Sequence, residues 1–106
     1  YIDDAVKSVI KVINNFDKID KYKVPFKILN IGTSKSEKLL KFVKLIEKNL
    51  KTKALKIFLP IQQGDTNSTK ANLRNLKRFT NFSPKTKIDK GIKNFINWYK
   101  NYHIKK

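Results

Sequence analysis

The stretch Ala54-Leu55-Lys56-Ile57-Phe58-Leu59-Pro60-Ile61-Gln62-Gln63-Gly64-Asp65-Thr66-Asn67-Ser68-Thr69 decides how this chain is read. Ala54 to Leu59 is a short apolar run closed by Pro60, and the segment from Gln62 to Thr69 is polar. A few apolar residues bounded by Pro and Gly have the length of a buried strand, and the polar residues after them read as a loop. Such a loop, carried on the end of a rigid element, is where binding groups are commonly presented.

Upstream, Leu39, Leu40, Phe42, Val43, Ile46 and Leu50 recur at the helical period, and Thr33, Ser34 and Ser36 offer caps. Phe26, Ile28, Leu29 and Ile31 form a second short apolar run, stopped by Gly32, which predicts another strand. Residues 17–25 are polar, contain Pro25 and read as a loop. Before them, Ile2, Val6, Val9, Ile10, Ile13 and Phe16 predict an amphipathic helix with Asp3 or Asp4 as its cap.

Downstream, Asn72 can cap a short helix carrying Leu73 and Leu76, ended by Phe82 and Ser83-Pro84. A last helix places Ile88, Ile92, Phe95, Ile96, Tyr99 and Tyr102 on one face. The expected order is helix, strand, helix, strand, helix, helix: an α/β class chain, or α+β piece, of about four helices and two short strands. Two strands rarely make a stable sheet alone, so they are expected to pair with strands outside this chain.

The chain has 106 residues, 40% of them hydrophobic, which suffices for one small core and no second domain. It contains no Met and starts at Tyr1 inside an expected helix, so it reads as a piece of a longer protein. There is no Cys, which removes disulfides, thiolate zinc sites and cysteine nucleophiles together. No apolar run reaches membrane-spanning length and no signal segment is visible, so a soluble, cytoplasmic protein is expected.

The formal charge is +17, from 25 Lys and Arg against 8 Asp and Glu. That balance invites a nucleic-acid reading. Only Arg74 and Arg78 carry the guanidinium fork suited to base edges, and the remaining cations are Lys. Lys, Asn, Ile, Phe and Tyr, all read from A/T-rich codons, make up 58 of the 106 residues, which accounts for Lys over Arg.

Candidates for chemistry are few. His103 is the only histidine and reads as a solvated residue of the tail, with no second His for a metal site or catalytic relay. Gly32, Gly64 and Gly91 lie too far apart for a dinucleotide fingerprint or a P-loop. Tyr102 and Lys106 have Tyr-x-x-x-Lys spacing, but a Lys-rich chain yields one such match by chance. Trp98-Tyr99 reads as helix core first and as a stacking site second. Gln62 and Asp65 are the candidate binding residues. The alternative at that loop is a plain turn, in which Gly64 gives φ freedom and Asp65 caps local backbone.

Taken in order, Tyr1-Ile2-Asp3-Asp4-Ala5-Val6, Leu29-Asn30-Ile31-Gly32, Leu40-Lys41-Phe42-Val43, Leu59-Pro60-Ile61-Gln62-Gln63-Gly64-Asp65, Phe82-Ser83-Pro84-Lys85-Thr86 and Gly91-Ile92-Lys93-Asn94-Phe95-Ile96-Asn97-Trp98-Tyr99 form six blocks. They resemble the C-terminal third of extended short-chain dehydrogenase/reductases, most closely the UDP-glucuronate/UDP-galacturonate 4-epimerases. The resemblance implies an NAD-dependent isomerase of polysaccharide biosynthesis, in which hydride leaves sugar C4 for NAD and returns to the other face.

It implies further that residues 1–106 are the substrate-binding lobe, with Gln62 and Asp65 contacting the nucleotide of a UDP-sugar. The NAD-binding Rossmann domain and the Tyr-Lys catalytic pair would then lie upstream, leaving no catalytic, cofactor-binding or metal residue here. A homodimer is implied for the whole enzyme. Gln63 stands where Pro is usual, Lys70 where an aromatic is usual and Asn72 where Asp is usual, departures that bear on sugar specificity. A related nucleotide-sugar dehydratase or reductase is the neighbouring reading, and a basic nucleic-acid-binding module the distant one.

Overall fold

A computed structural model of the chain describes residues 1–18 and 26–104, the last without its side chain. The expected loop over 17–25 therefore lies outside the described residues from 19 onward. Among the described residues there are four α-helices: α1 (Ile2–Ile13), α2 (Leu39–Leu50), α3 (Arg74–Thr80) and α4 (Ile88–Tyr99). A 3₁₀ turn, Phe16–Lys18, follows α1, and a π-helical turn, Lys100–Ile104, extends α4.

Neither expected strand forms. Residues 26–31 and 54–59 carry no ladder, and no strand occurs among the described residues. Among the described residues the α/β expectation is corrected to helices without strands, with the number of helices as read from the sequence. The reason is physical: a strand exists only through hydrogen bonds to a neighbour, and these runs meet none among the described residues. Most of their side chains stay in solvent, with Leu55 94% and Ile57 79% exposed, while Lys27 and Leu29 are half-buried.

The chain divides into two compact units, the first made of residues 1–36 and 70–86. Here α1 packs on α3, whose Leu76 and Phe79 are buried. Contrary to its apolar spacing, α1 buries Asp4 and Ser8 and leaves Ile2, Val6, Val9, Ile10 and Ile13 exposed. The buried polar groups are satisfied. Ser8 Oγ donates to the Asp4 carbonyl at 2.7 Å, while Asp4 Oδ2 accepts the Lys85 and Thr86 N–H groups at 3.0 and 2.7 Å. Burial pushes the Asp4 carboxyl up, but the bonds from Thr86 and Lys85 together outweigh it and hold the pKa below its ordinary value.

Residues 30–33 run beside 71–72 in the same unit. Ala71 N–H donates to the Thr33 carbonyl at 2.8 Å, and a Cβ on Gly32 would stand 3.0 Å from Ala71 Cβ. That close approach is why glycine serves at 32. The cap expected at Asn72 falls one residue early: Leu73 holds the N-cap position of α3 without a side-chain cap bond, and Asn72 Oδ1 accepts the Arg74 N–H at 3.1 Å from the residue before it.

The second unit comprises residues 37–69 and 87–106. In it α2 packs against α4, whose Ile92 and Ile96 are buried, with Val43, Leu45, Ile46 and Leu50 half-buried opposite. Lys51 ends α2 in the left-handed region, φ 59°, and the Thr52 N–H reaches back to the Glu47 carbonyl at 3.1 Å. These two residues reverse the chain. Lys100 Nζ donates to the Asn49 carbonyl at 3.1 Å, joining the π-helical turn to the end of α2.

Candidate functional site

The expected binding residues lie in the second unit, on a turn after the exposed apolar run. Asp65 N–H donates to the Gln62 carbonyl at 3.2 Å, and Gly64 adopts φ +96° between them. A positive φ at the third residue is what a type II turn demands and what glycine supplies without cost. A Cβ at 64 would meet nothing within 4 Å, so conformation alone selects glycine there.

Backbone atoms close this turn. Among the described residues, neither the Gln62 amide nor the Asp65 carboxylate makes a side-chain hydrogen bond or ion pair, and both residues are exposed. The structure thus brings the two predicted residues to the two ends of one turn and leaves their polar groups free. Of the plain-turn alternative, the turn and the φ freedom of Gly64 are present, while among the described residues the Asp65 side chain makes no bond to local backbone. A carboxylate accepts only and an amide both donates and accepts, so the pair can meet a ligand offering hydroxyls and acceptor oxygens together.

The segment that carries the turn is tied to α2 by Glu47, a residue the sequence reading passed over. Glu47 is buried at the end of the helix, and its Oε1 accepts the Ala54 N–H at 2.9 Å and a charge-assisted bond from Lys56 Nζ. The Lys56 ammonium, followed by the Ala54 N–H, holds the Glu47 carboxyl below its ordinary pKa against the opposing effect of burial. No sequence spacing announces this contact, because it depends on the reversal at Lys51.

The other candidates resolve as follows. His103 does not stand alone: its ring lies 4.8 Å from Tyr99, 4.9 Å from Tyr102 and 6.0 Å from Trp98 between centroids. Trp98 and Tyr102 stack at 5.5 Å with 15° between planes, and both are exposed, so the core reading of Trp98-Tyr99 is replaced by a surface aromatic cluster. Lys106, the other half of the Tyr102 spacing, lies outside the described residues. Among the described residues no group of His, Asp and Glu comes together as a metal site. No helix there is long and apolar enough to cross a membrane.

The residues present do not fit NAD. Gly32 lies against Ala71, Gly64 sits in the turn and Gly91 is inside α4, so no glycine-rich loop leads into a helix N-terminus.

No family model matches the chain. An uncharacterised protein of Methanocaldococcus jannaschii is 40% identical over 100 residues, 93% of this chain and 28% of that protein. Protein CapI of Staphylococcus aureus is 32% identical over 117 residues, 99% of this chain and 35% of that protein. UDP-glucuronate 4-epimerase 5 of Arabidopsis thaliana is 32% identical over 110 residues, 97% of this chain and 25% of that protein. The chain spans about a quarter to a third of the length of these curated relatives. It is similar, along nearly all of its own length, to part of a UDP-glucuronate 4-epimerase.

Proposed function

We propose that this chain forms the nucleotide-sugar-binding lobe of a UDP-glucuronate 4-epimerase. Similarity covering 97% of the chain to an enzyme of that name is the observation that carries the reading. The turn supports it locally. Asp65 accepts hydrogen bonds from ribose hydroxyls, and Gln62 donates to ribose or pyrophosphate oxygens. A net charge of +17 favours approach of a pyrophosphate, without selecting among its carriers.

On this reading NAD, and the Tyr-Lys pair that works with it, belong to a Rossmann domain upstream in a longer protein that acts as a homodimer. The residues described here bind and orient the substrate and take no part in hydride transfer. The test is turnover. The full-length enzyme with NAD should convert UDP-glucuronate into its C4 epimer, followed by proton NMR of the sugar, and the 106 residues alone should convert none. A dehydrated or reduced product moves the protein to a neighbouring activity of the same superfamily. Absence of any reaction with UDP-sugars overturns the reading.

A further inference from the structure

Phe95, Trp98, Tyr99 and Tyr102 recur at helical spacing along α4 and the π-helical turn beyond it, and all four are exposed, Trp98 by 53% and Tyr102 by 64%. We propose that this aromatic stripe docks on the surface of an anionic phospholipid membrane, without spanning it. The docking does not depend on the activity proposed above.

Packing explains why the rings stay outside. Ile92 and Ile96 are the residues of α4 buried where it packs with α2, and Phe95, Trp98 and Tyr102 fall beside them in helical register. The rings pack on one another instead. Phe95 lies 5.8 Å from Trp98 and 6.3 Å from Tyr99, and Trp98 stacks on Tyr102 at 5.5 Å, so the four form one continuous exposed surface.

The polar tips of these rings select the chemistry of the partner. The Trp98 indole N–H and the Tyr99 and Tyr102 hydroxyls make no hydrogen bond among the described residues. A ring with an apolar body and an unpaired polar tip suits a boundary where hydrocarbon meets water, and Trp and Tyr concentrate at membrane interfaces for that reason. Lys90, Lys93 and Lys100 fall off the stripe in the same register, which gives α4 the basic face and the aromatic face of an interfacial helix.

Charge selects among surfaces. The formal charge of the chain is +17, and in the unit that carries the stripe the acids are Glu37, Glu47, Asp65 and Asp89. Glu37 and Glu47 are already paired, with Lys41 and Lys56. Anionic headgroups attract such a unit, each Lys near the surface adding to the attraction. The same charge repels a second copy of the chain. A single-stranded nucleic acid needs ring faces open to successive bases, whereas Trp98 and Tyr102 each cover a face of the other.

Trp98 is the only tryptophan, so its fluorescence reports on the stripe directly. Titrating the full chain with phosphatidylcholine vesicles containing about 30% phosphatidylglycerol should shift the emission to shorter wavelength, and lipids brominated on their acyl chains should quench it. Pure phosphatidylcholine vesicles should bind about tenfold or more weakly. Phe95→Gln with Tyr102→Gln keeps the reporter and should weaken binding about tenfold or more. Ile2→Gln with Ile13→Gln removes two exposed apolar side chains from α1 and should change binding less than about twofold. Quenching by brominated lipid is read on the native chain, so it decides the matter even where the stripe variant misfolds. An unshifted and unquenched Trp98, equal binding to neutral vesicles, or equal weakening by both variants overturns the proposal. So does an emission shift that oligothymidine produces more strongly at equal phosphate, or that rises with protein concentration in the absence of lipid. The full-length protein should float with the same vesicles, and its failure to do so overturns the proposal as well.

Discussion

Asp4, in the first turn of α1, accepts the Thr86 backbone N–H at 2.7 Å across a sequence separation of 82 residues. With the neighbouring bond from Lys85, this carboxylate ties the first helix to the segment after α3, and it does so from a buried position. Asp4→Ala leaves two partly buried donors unmatched and should cost about 2–4 kcal/mol, read by chemical denaturation. The folded-state pKa of Asp4 is depressed, so its stabilisation is complete above the ordinary carboxylate value near 3.8 and is lost as pH falls through the lower native value. The melting-temperature gap between the native chain and Asp4→Asn should therefore be widest near neutrality and shrink below about pH 4. A gap independent of pH would contradict an ionised Asp4.

Glu47 plays a comparable part in the second unit, where its carboxylate binds Ala54 and Lys56. Glu47→Gln retains an acceptor for the Ala54 N–H, whereas Glu47→Ala removes it. Hydrogen exchange at the Ala54 amide should accelerate strongly in the alanine variant and only slightly in the glutamine variant. Equal protection in all three proteins would mean that the carboxylate does not hold this segment.

Helix existence was legible in the residues, because a 3.6-residue period survives whatever the helix packs against. What the helices bury was less so. The apolar stripe of α1 predicted a core face, and yet Asp4 and Ser8 are the buried residues, because bonds to Lys85 and Thr86 set the orientation of that helix. The runs at Phe26–Ile31 and Ala54–Leu59 failed as strands for a related reason: periodicity records a tendency to be covered, and ladder partners are supplied by other segments. With Phe58 and Leu59 each 75% exposed, Ile57→Lys with Leu59→Lys should reduce self-association of the 106 residues in sedimentation velocity and leave their melting temperature unchanged. A lowered melting temperature would reveal packing that the exposures deny.

The turn itself was readable, since Gly64 marks a position that needs positive φ, and the structure adds which atoms close it. Pro is favoured at the second residue of a type II turn, the place occupied by Gln63. The Gln63 N–H makes no hydrogen bond among the described residues. Gln63→Pro should therefore stabilise the chain by about 0.4–1 kcal/mol through loss of unfolded-state freedom. Destabilisation would place Gln63 in a conformation proline cannot adopt.

Asp65 offers the sharpest discrimination at the proposed substrate site. Because the turn is closed by its backbone N–H and not by its carboxylate, Asp65→Ala should leave the melting temperature unchanged. If the carboxylate accepts from ribose hydroxyls, its removal loses a charge-assisted bond, and kcat/KM of the full-length enzyme for UDP-glucuronate should fall about tenfold to a hundredfold. The nucleotide is remote from the reacting C4, so its binding energy serves positioning as well as affinity, and the loss should enter KM first and kcat to a lesser degree. Gln62→Ala, removing a neutral donor, should have a smaller effect, because a bond without a formal charge contributes less. Measuring UDP affinity and melting temperature on one preparation separates binding from folding. Unchanged affinity with a lowered melting temperature would return Asp65 to a purely structural part in the turn.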